Sequence, residues 1–168
     1  MGLARTGRVV ALDLGERRIG VARSDVDQRL SLAHEVLERA GSHRADHHQI
    51  AALVDELGAI GVVVGLPLAL DGRRGPAAEK VLAEVEELRA TLAVPVETID
   101  ERLSTAEVLQ HRRAALVSRD RARRGGRGGR AGAPAGRAGS RRVVVDDAAA
   151  AVILQSWIDA QRREKEER

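Results

Sequence analysis

The stretch Val9-Val10-Ala11-Leu12-Asp13-Leu14-Gly15 decides how this chain is expected to fold. Its uninterrupted apolar run is typical of a strand that is buried on both faces of a sheet. Asp13 is unusual there, because an acid in apolar surroundings is costly unless another group offsets its charge. A divalent metal ion can do so, and the sequence therefore predicts a buried strand, Arg8–Leu14, that carries a metal-binding carboxylate near its end.

Two further acids stand at comparable places. Glu101 follows the predicted strand Val94–Ile99, and Asp146 begins a helix predicted over Asp146–Gln161. If the strands before Asp13 and Glu101 share a direction, both acids emerge at one edge of the sheet, where ligands gather in α/β folds. Carboxylates so close together would repel each other without a cation, which favours Mg²⁺ or Mn²⁺. Such a centre can activate water for phosphodiester cleavage.

Each acid also has an ordinary structural explanation. Asp13 could form a turn, and Glu101 could pair with Arg102 at the surface. Asp146 could be a helix N-terminal acid that the helix dipole stabilises. Asp146 and Asp147 project about 100° apart on one helix, so both cannot easily reach one ion. The metal hypothesis therefore depends on the three acids jointly.

The remaining pattern predicts an α/β fold. Apolar runs separated by turn residues and by helices with one apolar face imply a mixed sheet with helices on both faces. The first strand and the next two form an antiparallel meander. The further predicted elements are strands Arg18–Ser24, Leu30–Leu37 and Ile60–Gly65, and helices His43–Leu57 (capped by Ser42), Pro76 to about Leu92, and Ser104 to about Leu116.

Length and composition indicate a soluble globular protein. The 168 residues predict a single domain, 1–168. No apolar run approaches the ~20 residues needed to span a bilayer, so no membrane partner is expected. The chain has no cysteine, which excludes disulfides and thiolate metal sites and fits a cytoplasmic enzyme. Any metal must therefore be held by oxygen or histidine.

The charge is concentrated in one segment. Eleven arginines and one acid lie between Arg112 and Arg142, so this stretch carries about +10 against a net charge of +3 for the chain. Arg121–Ser140 contains no aliphatic residue larger than Ala, which predicts a disordered Arg/Gly-rich insert at about 118–142. Such a segment favours a polyanionic partner, although a solvated linker explains it equally well. Candidate phosphate contacts, each also explicable as ordinary surface charge, are Arg17, Arg18, Arg73, Arg74, Arg102, Arg124, Arg127 and Arg130.

Three histidines lie on the first predicted helix. His43 and His47 have the i,i+4 spacing of metal ligands, and His48 follows them. Their neighbours Arg44, Asp46 and Gln49 indicate a solvated helix face, so zinc binding is the less favoured interpretation.

Four segments together resemble the YqgF family. These bacterial RuvC-like proteins have a ribonuclease H-type fold and are assigned to precursor 16S ribosomal RNA processing; they were formerly described as Holliday junction resolvases. The resemblance covers nearly the whole chain except the Arg/Gly insert and the termini. The segments are Ala11–Gly15 with Arg18–Ala22 and Ser24-Asp25, Val62–Pro67 with Asp71-Gly72, Asp100–Thr105, and Asp146–Ala150 with Ile153–Gln155.

The resemblance implies a five-stranded mixed sheet and a metal-dependent nuclease whose catalytic, metal-binding acids are Asp13, Glu101 and Asp146. Asp146 is preferred over Asp147 because it lies nine positions before Gln155. The 45 positions from Glu101 to Asp146 exceed the family's usual spacing, and the Arg/Gly insert explains the excess.

The implied partner is precursor 16S ribosomal RNA or a precursor of the small ribosomal subunit. Two alternatives stay open: a resolvase of branched DNA, and a non-catalytic nucleic-acid-binding factor in transcription or ribosome assembly. A junction resolvase would favour a symmetric dimer. The sequence does not decide between a monomer and a homodimer.

Overall fold

The computed structural model describes residues 3–4, 6–67, 75–100 and 147–167. They form strands β1 Arg8–Leu14, β2 Arg18–Ser24, β3 Ser31–Glu38, β4 Ala59–Leu66 and β5 Val96–Asp100, and helices α1 His43–Glu56, α2 Pro76–Thr91 and α3 Asp147–Glu166. The predicted bounds agree closely, except that α3 continues beyond Gln161. The helix expected from Ser104 and the Arg/Gly insert at about 118–142 lie outside the described residues.

The five strands form one mixed sheet in the order β3-β2-β1-β4-β5. Strand β2 runs antiparallel to both β1 and β3, which confirms the predicted meander. Strands β1, β4 and β5 are parallel. Their carboxyl ends therefore meet at one edge, called here the carboxyl edge. The predicted meeting of the ends of β1 and β5 at one edge requires the two strands to run in the same direction. They do run in the same direction.

Helices cover both faces of the sheet, as predicted. On one face, Val10 and Leu12 of β1 pack with α1 and α2. On the other face, Val9 and Ala11 pack with α3. Successive residues of a strand point to opposite faces, so the unbroken apolar run of β1 supplies two hydrophobic cores at once. Among the described residues, no helix is long and apolar enough to cross a membrane.

Hydrogen bonds join α3 to both edge strands of the sheet, β3 and β5. The indole Nε1 of Trp157 donates to Oε2 of Glu97 on β5 at 2.9 Å, and the Leu3 N–H donates to Oε1 of Glu97 at 2.9 Å. On β3, the Ser31 hydroxyl donates to the Ala151 carbonyl at 2.7 Å. The position of α3 over its face is thus set by polar contacts as well as by apolar packing.

Candidate metal site at the carboxyl edge

Asp13 lies near the end of β1, where this strand reaches the carboxyl edge. It faces α3, because Val9 and Ala11 on the same side of the strand pack in the α3 core. Burial raises the pKa of Asp13 above its ordinary value of 3.8. Within the described part of the chain, no hydrogen bond or ion pair offsets the charge of its carboxylate. A half-buried carboxylate of this kind fits an oxygen ligand of a hard divalent cation.

The turn after Asp13 requires a glycine and is held by an arginine. The Gly15 N–H donates to the Arg18 carbonyl at 3.0 Å. A Cβ atom on Gly15 would lie 2.8 Å from that carbonyl oxygen, so a larger residue would displace the backbone. The Gly15 carbonyl accepts from Nε of Arg39 at 3.0 Å. The Asp-x-Gly pattern therefore fixes the backbone that presents Asp13.

Glycine also leaves room beside Asp13. In the sheet, Leu12 pairs with Val64, and Gly65 pairs with Ile99. Because Val63 and Ile99 belong to the α3 core, Gly65 lies on the α3 face between β1 and β5. The backbones of β1 and β5 are about 9.5 Å apart across β4, and Gly65 projects no side chain into that interval.

The other two predicted acids lie outside the described residues. Glu101 directly follows Asp100, the last residue of β5, and Asp146 directly precedes α3. Of the three predicted acids, the structure thus describes Asp13 alone.

Two of the eight candidate phosphate contacts are described. Arg17 and Arg18 are exposed at the turn between β1 and β2, at the same edge as Asp13. Nε of Arg18 pairs with Oε1 of Glu38 at 3.1 Å, which partly neutralises it. The candidates outside the described residues are Arg73, Arg74, Arg102, Arg124, Arg127 and Arg130.

The opposite face holds a buried charge network that sequence reasoning missed. Arg39 donates to both carboxylate oxygens of Glu84, at 2.5 and 3.0 Å, and to Oδ2 of Asp46 at 3.0 Å. Burial by itself would raise the pKa of Asp46, but the Ala40 N–H and the Arg39 guanidinium hold it below 3.8. The prediction that Asp46 lies on a solvated face of α1 is wrong, because Arg39 and the Ala40 N–H bond to its carboxylate and Asp46 is 2% exposed.

The network borders a cavity of about 670 Å³ at the carboxyl edge, on the face away from Asp13. Sequence offered little signal for it. Arg39 lies before α1, and Glu84 lies on α2, 45 positions after Arg39. No periodic sequence pattern identifies such a distant pair.

Comparison with known proteins agrees with this geometry. The chain matches the family model of RuvX, described as a Holliday junction resolvase, over residues 7–126. It is 44% identical over 162 residues to a protein of Thermobifida fusca named "Putative pre-16S rRNA nuclease", covering 96% of this chain and 92% of that one. The chain belongs to the RuvX (YqgF) family. A relative of the same name in Desulforudis audaxviator is 40% identical over 155 residues, covering 92% of this chain and 96% of its own.

Solved structures agree with the RuvX assignment at the level of the fold. RuvC of Thermus thermophilus in complex with a Holliday junction substrate superposes with a TM-score of 0.58 at 16% identity, covering 94% of this chain and 96% of that one. A second RuvC structure from the same organism has a TM-score of 0.54 at 17% identity, covering 93% and 96%. The resemblance drawn from the four sequence segments and the ribonuclease H-like fold are both confirmed.

Proposed function

We propose that this RuvX-family chain is a metal-dependent endonuclease that processes precursor 16S ribosomal RNA. The observation that carries the proposal is Asp13, a half-buried carboxylate with a raised pKa at the carboxyl edge of a RuvC-like sheet. The choice of substrate rests on the names of the similar relatives, each of which is called "Putative pre-16S rRNA nuclease". A cytoplasmic location and a single domain over 1–168 belong to the same proposal.

Two features support Glu101 and Asp146 as the partners of Asp13. Ile99 faces α3, and strand alternation continued from it would bring Glu101 to the same face as Asp13. Asp146 immediately precedes the helix that covers this face. We therefore assign all three acids as ligands of Mg²⁺ or Mn²⁺, the hard cations that oxygen ligands suit. Such an ion, when bound, polarises the scissile phosphodiester and makes water a better nucleophile.

The chain's own residues bind and orient the substrate around this centre. The glycine turn fixes the backbone that carries Asp13, so little backbone reorganisation is needed when the ion and the phosphate bind. The exposed Arg17 and Arg18 lie at the same edge and are suited to RNA phosphates. We also assign RNA-phosphate contacts to six further arginines, three of them in the Arg/Gly insert: Arg73, Arg74, Arg102, Arg124, Arg127 and Arg130.

Branched DNA is the second candidate substrate. It is favoured by the RuvX family description and by the likeness to a RuvC structure that contains a Holliday junction. The RNA is preferred because the similar relatives carry that name at 40% identity and above, whereas RuvC is 16% identical. A junction resolvase would act as a symmetric dimer, so the oligomeric state is a secondary indicator.

Cleavage of the two substrates by matched variants tests the proposal. The full chain is assayed with Mg²⁺ or Mn²⁺ on precursor 16S RNA and on four-way DNA junctions. The variants are Asp13→Asn and the control Asp27→Asn, an exposed acid at the β2–β3 turn. We expect the RNA to be cut faster and Asp13→Asn to lower its cleavage at least about a hundredfold, since a catalytic metal contributes several kcal/mol and each 1.36 kcal/mol is tenfold.

The outcomes separate the alternatives. Undiminished cleavage by Asp13→Asn would refute the catalytic assignment, and faster cutting of the junction would favour the resolvase. Binding of RNA without cleavage by the wild type would favour the non-catalytic factor.

A further inference from the structure

A second group of ligand-type side chains lies between α1 and α2, on the face away from Asp13. His43 and His47 are one helical turn apart on α1, and Glu84 and Glu87 lie on α2. One ligand atom from each of His43, His47 and Glu87 lies within 4.8 Å of the other two. The group therefore draws on both helices, which is the arrangement of a metal site that joins them.

His47 has an unsatisfied nitrogen inside this group. The residue is 3% exposed, and its Nε2 atom makes no hydrogen bond within the described residues. Oε1 of Glu84 lies 3.5 Å from this nitrogen. Buried polar atoms are rarely left without a partner, and a neutral imidazole nitrogen is the commonest protein ligand for metals.

The spacing of the polar atoms suits a tetrahedral ion. Ligands bound at about 2.1 Å to such an ion lie about 3.4 Å from one another. Nδ1 of His43 and Oε2 of Glu87, 3.1 Å apart, are close to this spacing, and the ligand atoms of His43, His47 and Glu87 all lie within 4.8 Å of one another. The side chains of His43 and Glu87 are each 54% exposed. They contact each other, and their exposure allows both to turn toward an ion that the buried His47 anchors.

The charge of the group leaves room for a divalent cation. Arg39 contacts Asp46 and Glu84, so a single guanidinium serves two buried carboxylates. Asp46, Glu84 and Glu87 carry three formal negative charges against the one positive charge of Arg39, which leaves a net formal charge of −2 on these four side chains. Asp46 and Glu84 are buried, so the negative charge that they carry in excess of Arg39 is costly, and a divalent ion beside Glu84 would lower that cost.

We propose that His43, His47 and Glu87 bind Zn²⁺ and thereby join α1 to α2. Imidazole and carboxylate ligands suit zinc, whereas Mg²⁺ prefers oxygen alone. Glu84, held by Arg39, supplies a neighbouring carboxylate. The site is distinct from the carboxyl-edge centre in its face, its elements and its ligand chemistry, and it does not depend on the proposed nuclease activity.

Zinc titration of matched histidine variants tests this site. The chelator-treated full chain is titrated with ZnCl₂ at pH 7.5 by calorimetry, alongside His43→Ala, Glu87→Gln and His47→Ala. The control is His48→Ala, which removes an exposed imidazole from the same helix. We expect one zinc ion per chain in the wild type and the control, and affinity lower by at least about tenfold to a hundredfold in the other three variants, as for the loss of groups that support metal binding.

Thermal unfolding supplies a second measurement. At zinc concentrations about 100 times the wild-type Kd, the Tm of the wild type and of His48→Ala is expected to rise by about 5–10 °C, and that of His43→Ala and Glu87→Gln by about half as much or less. If the buried change His47→Ala prevents folding, the two exposed variants still decide. No zinc binding by the wild type would overturn the proposal, and so would equal affinity in the control, His43→Ala and Glu87→Gln. Either result would mean that His43 and His47 only contact neighbouring carboxylates and bind no metal.

Discussion

The two faces of the sheet treat buried charge in opposite ways. Between α1 and α2, Asp46 and Glu84 are buried together with Arg39, which donates to both. On the α3 face, Asp13 is half-buried with no partner among the described residues. A buried carboxylate that a guanidinium hydrogen-bonds contributes to the fold, whereas one without such a partner at a sheet edge calls for a ligand. The comparison therefore distinguishes a structural network from a functional centre.

The largest expected effect on stability comes from removing the shared cation. We expect Arg39→Ala to lower the free energy of unfolding by about 3–5 kcal/mol, because both buried carboxylates would lose their partner. Urea unfolding followed by circular dichroism measures the change. The control Arg44→Ala removes an exposed arginine of α1 and should change stability by no more than about 0.5 kcal/mol. Equal stability of the two variants would contradict a structural role for the network.

A smaller effect is expected where α3 meets the sheet. Glu97→Ala removes the acceptor of both the Trp157 indole and the Leu3 N–H. We expect a loss of about 2–3 kcal/mol, since two donors lose a charged partner that is only partly buried. Trp157 is the single tryptophan of the chain, so its fluorescence follows the unfolding of this contact directly.

The control variant for Glu97→Ala is Glu86→Ala. It removes an acid whose side chain is 67% exposed, in a surface pair with Arg89 worth about 0–1 kcal/mol. A loss in Glu97→Ala no greater than in Glu86→Ala would show that apolar packing alone holds α3.

The smallest expected effect is on the pH dependence of stability, to which Asp13 and Asp46 contribute with opposite signs. Burial raises the pKa of Asp13 above 3.8, so its protonated form stabilises the fold at low pH, and that contribution disappears as the pH rises through the raised pKa. The environment of Asp46 lowers its pKa below 3.8, where the opposing effect of burial is outweighed by the Ala40 N–H and Arg39. Its contribution is present above 3.8 and is lost as the pH falls through the lowered pKa.

Asparagine variants should reveal the two signs. At pH 7, Asp13→Asn is expected to be at least as stable as the wild type, and Asp46→Asn less stable. The relative gain of Asp13→Asn should fade as the pH drops toward 3.8, whereas the deficit of Asp46→Asn should shrink only below that value. Metal-free protein is unfolded in urea across this pH range. Parallel pH profiles for the two variants would break the contrast between the faces.

Local patterns predicted the secondary structure well. The apolar run Val9–Leu12 identified a doubly buried strand, and the Ser42 hydroxyl accepts from the Ala45 N–H as an N-cap should. Pro76 begins α2 at the expected residue. These features succeed because strand alternation, helix capping and proline geometry act over a few residues.

Contacts between distant residues escaped prediction. Arg39 and Glu84 are 45 positions apart, and Glu97 and Trp157 are 60 apart. Neither pair belongs to a shared repeat, so nothing local links its members. Asp46 was assigned to a solvated face although Arg39 and Ala40, just before α1, bond to it and it is buried, because no helical pattern shows how that segment folds back onto the helix.

By itself, the sequence determined the strands and helices and the family, and it proposed Asp13, Glu101 and Asp146 together as metal ligands. Those conclusions rest on interactions between near neighbours and on motifs in a fixed order. Tertiary structure alone decided that β1, β4 and β5 run parallel, that Asp13 faces α3 with Gly65 beside it, and that Arg39 pairs with Glu84. Strand order and charge pairing depend on which distant segments meet, and that choice is made by packing the whole chain.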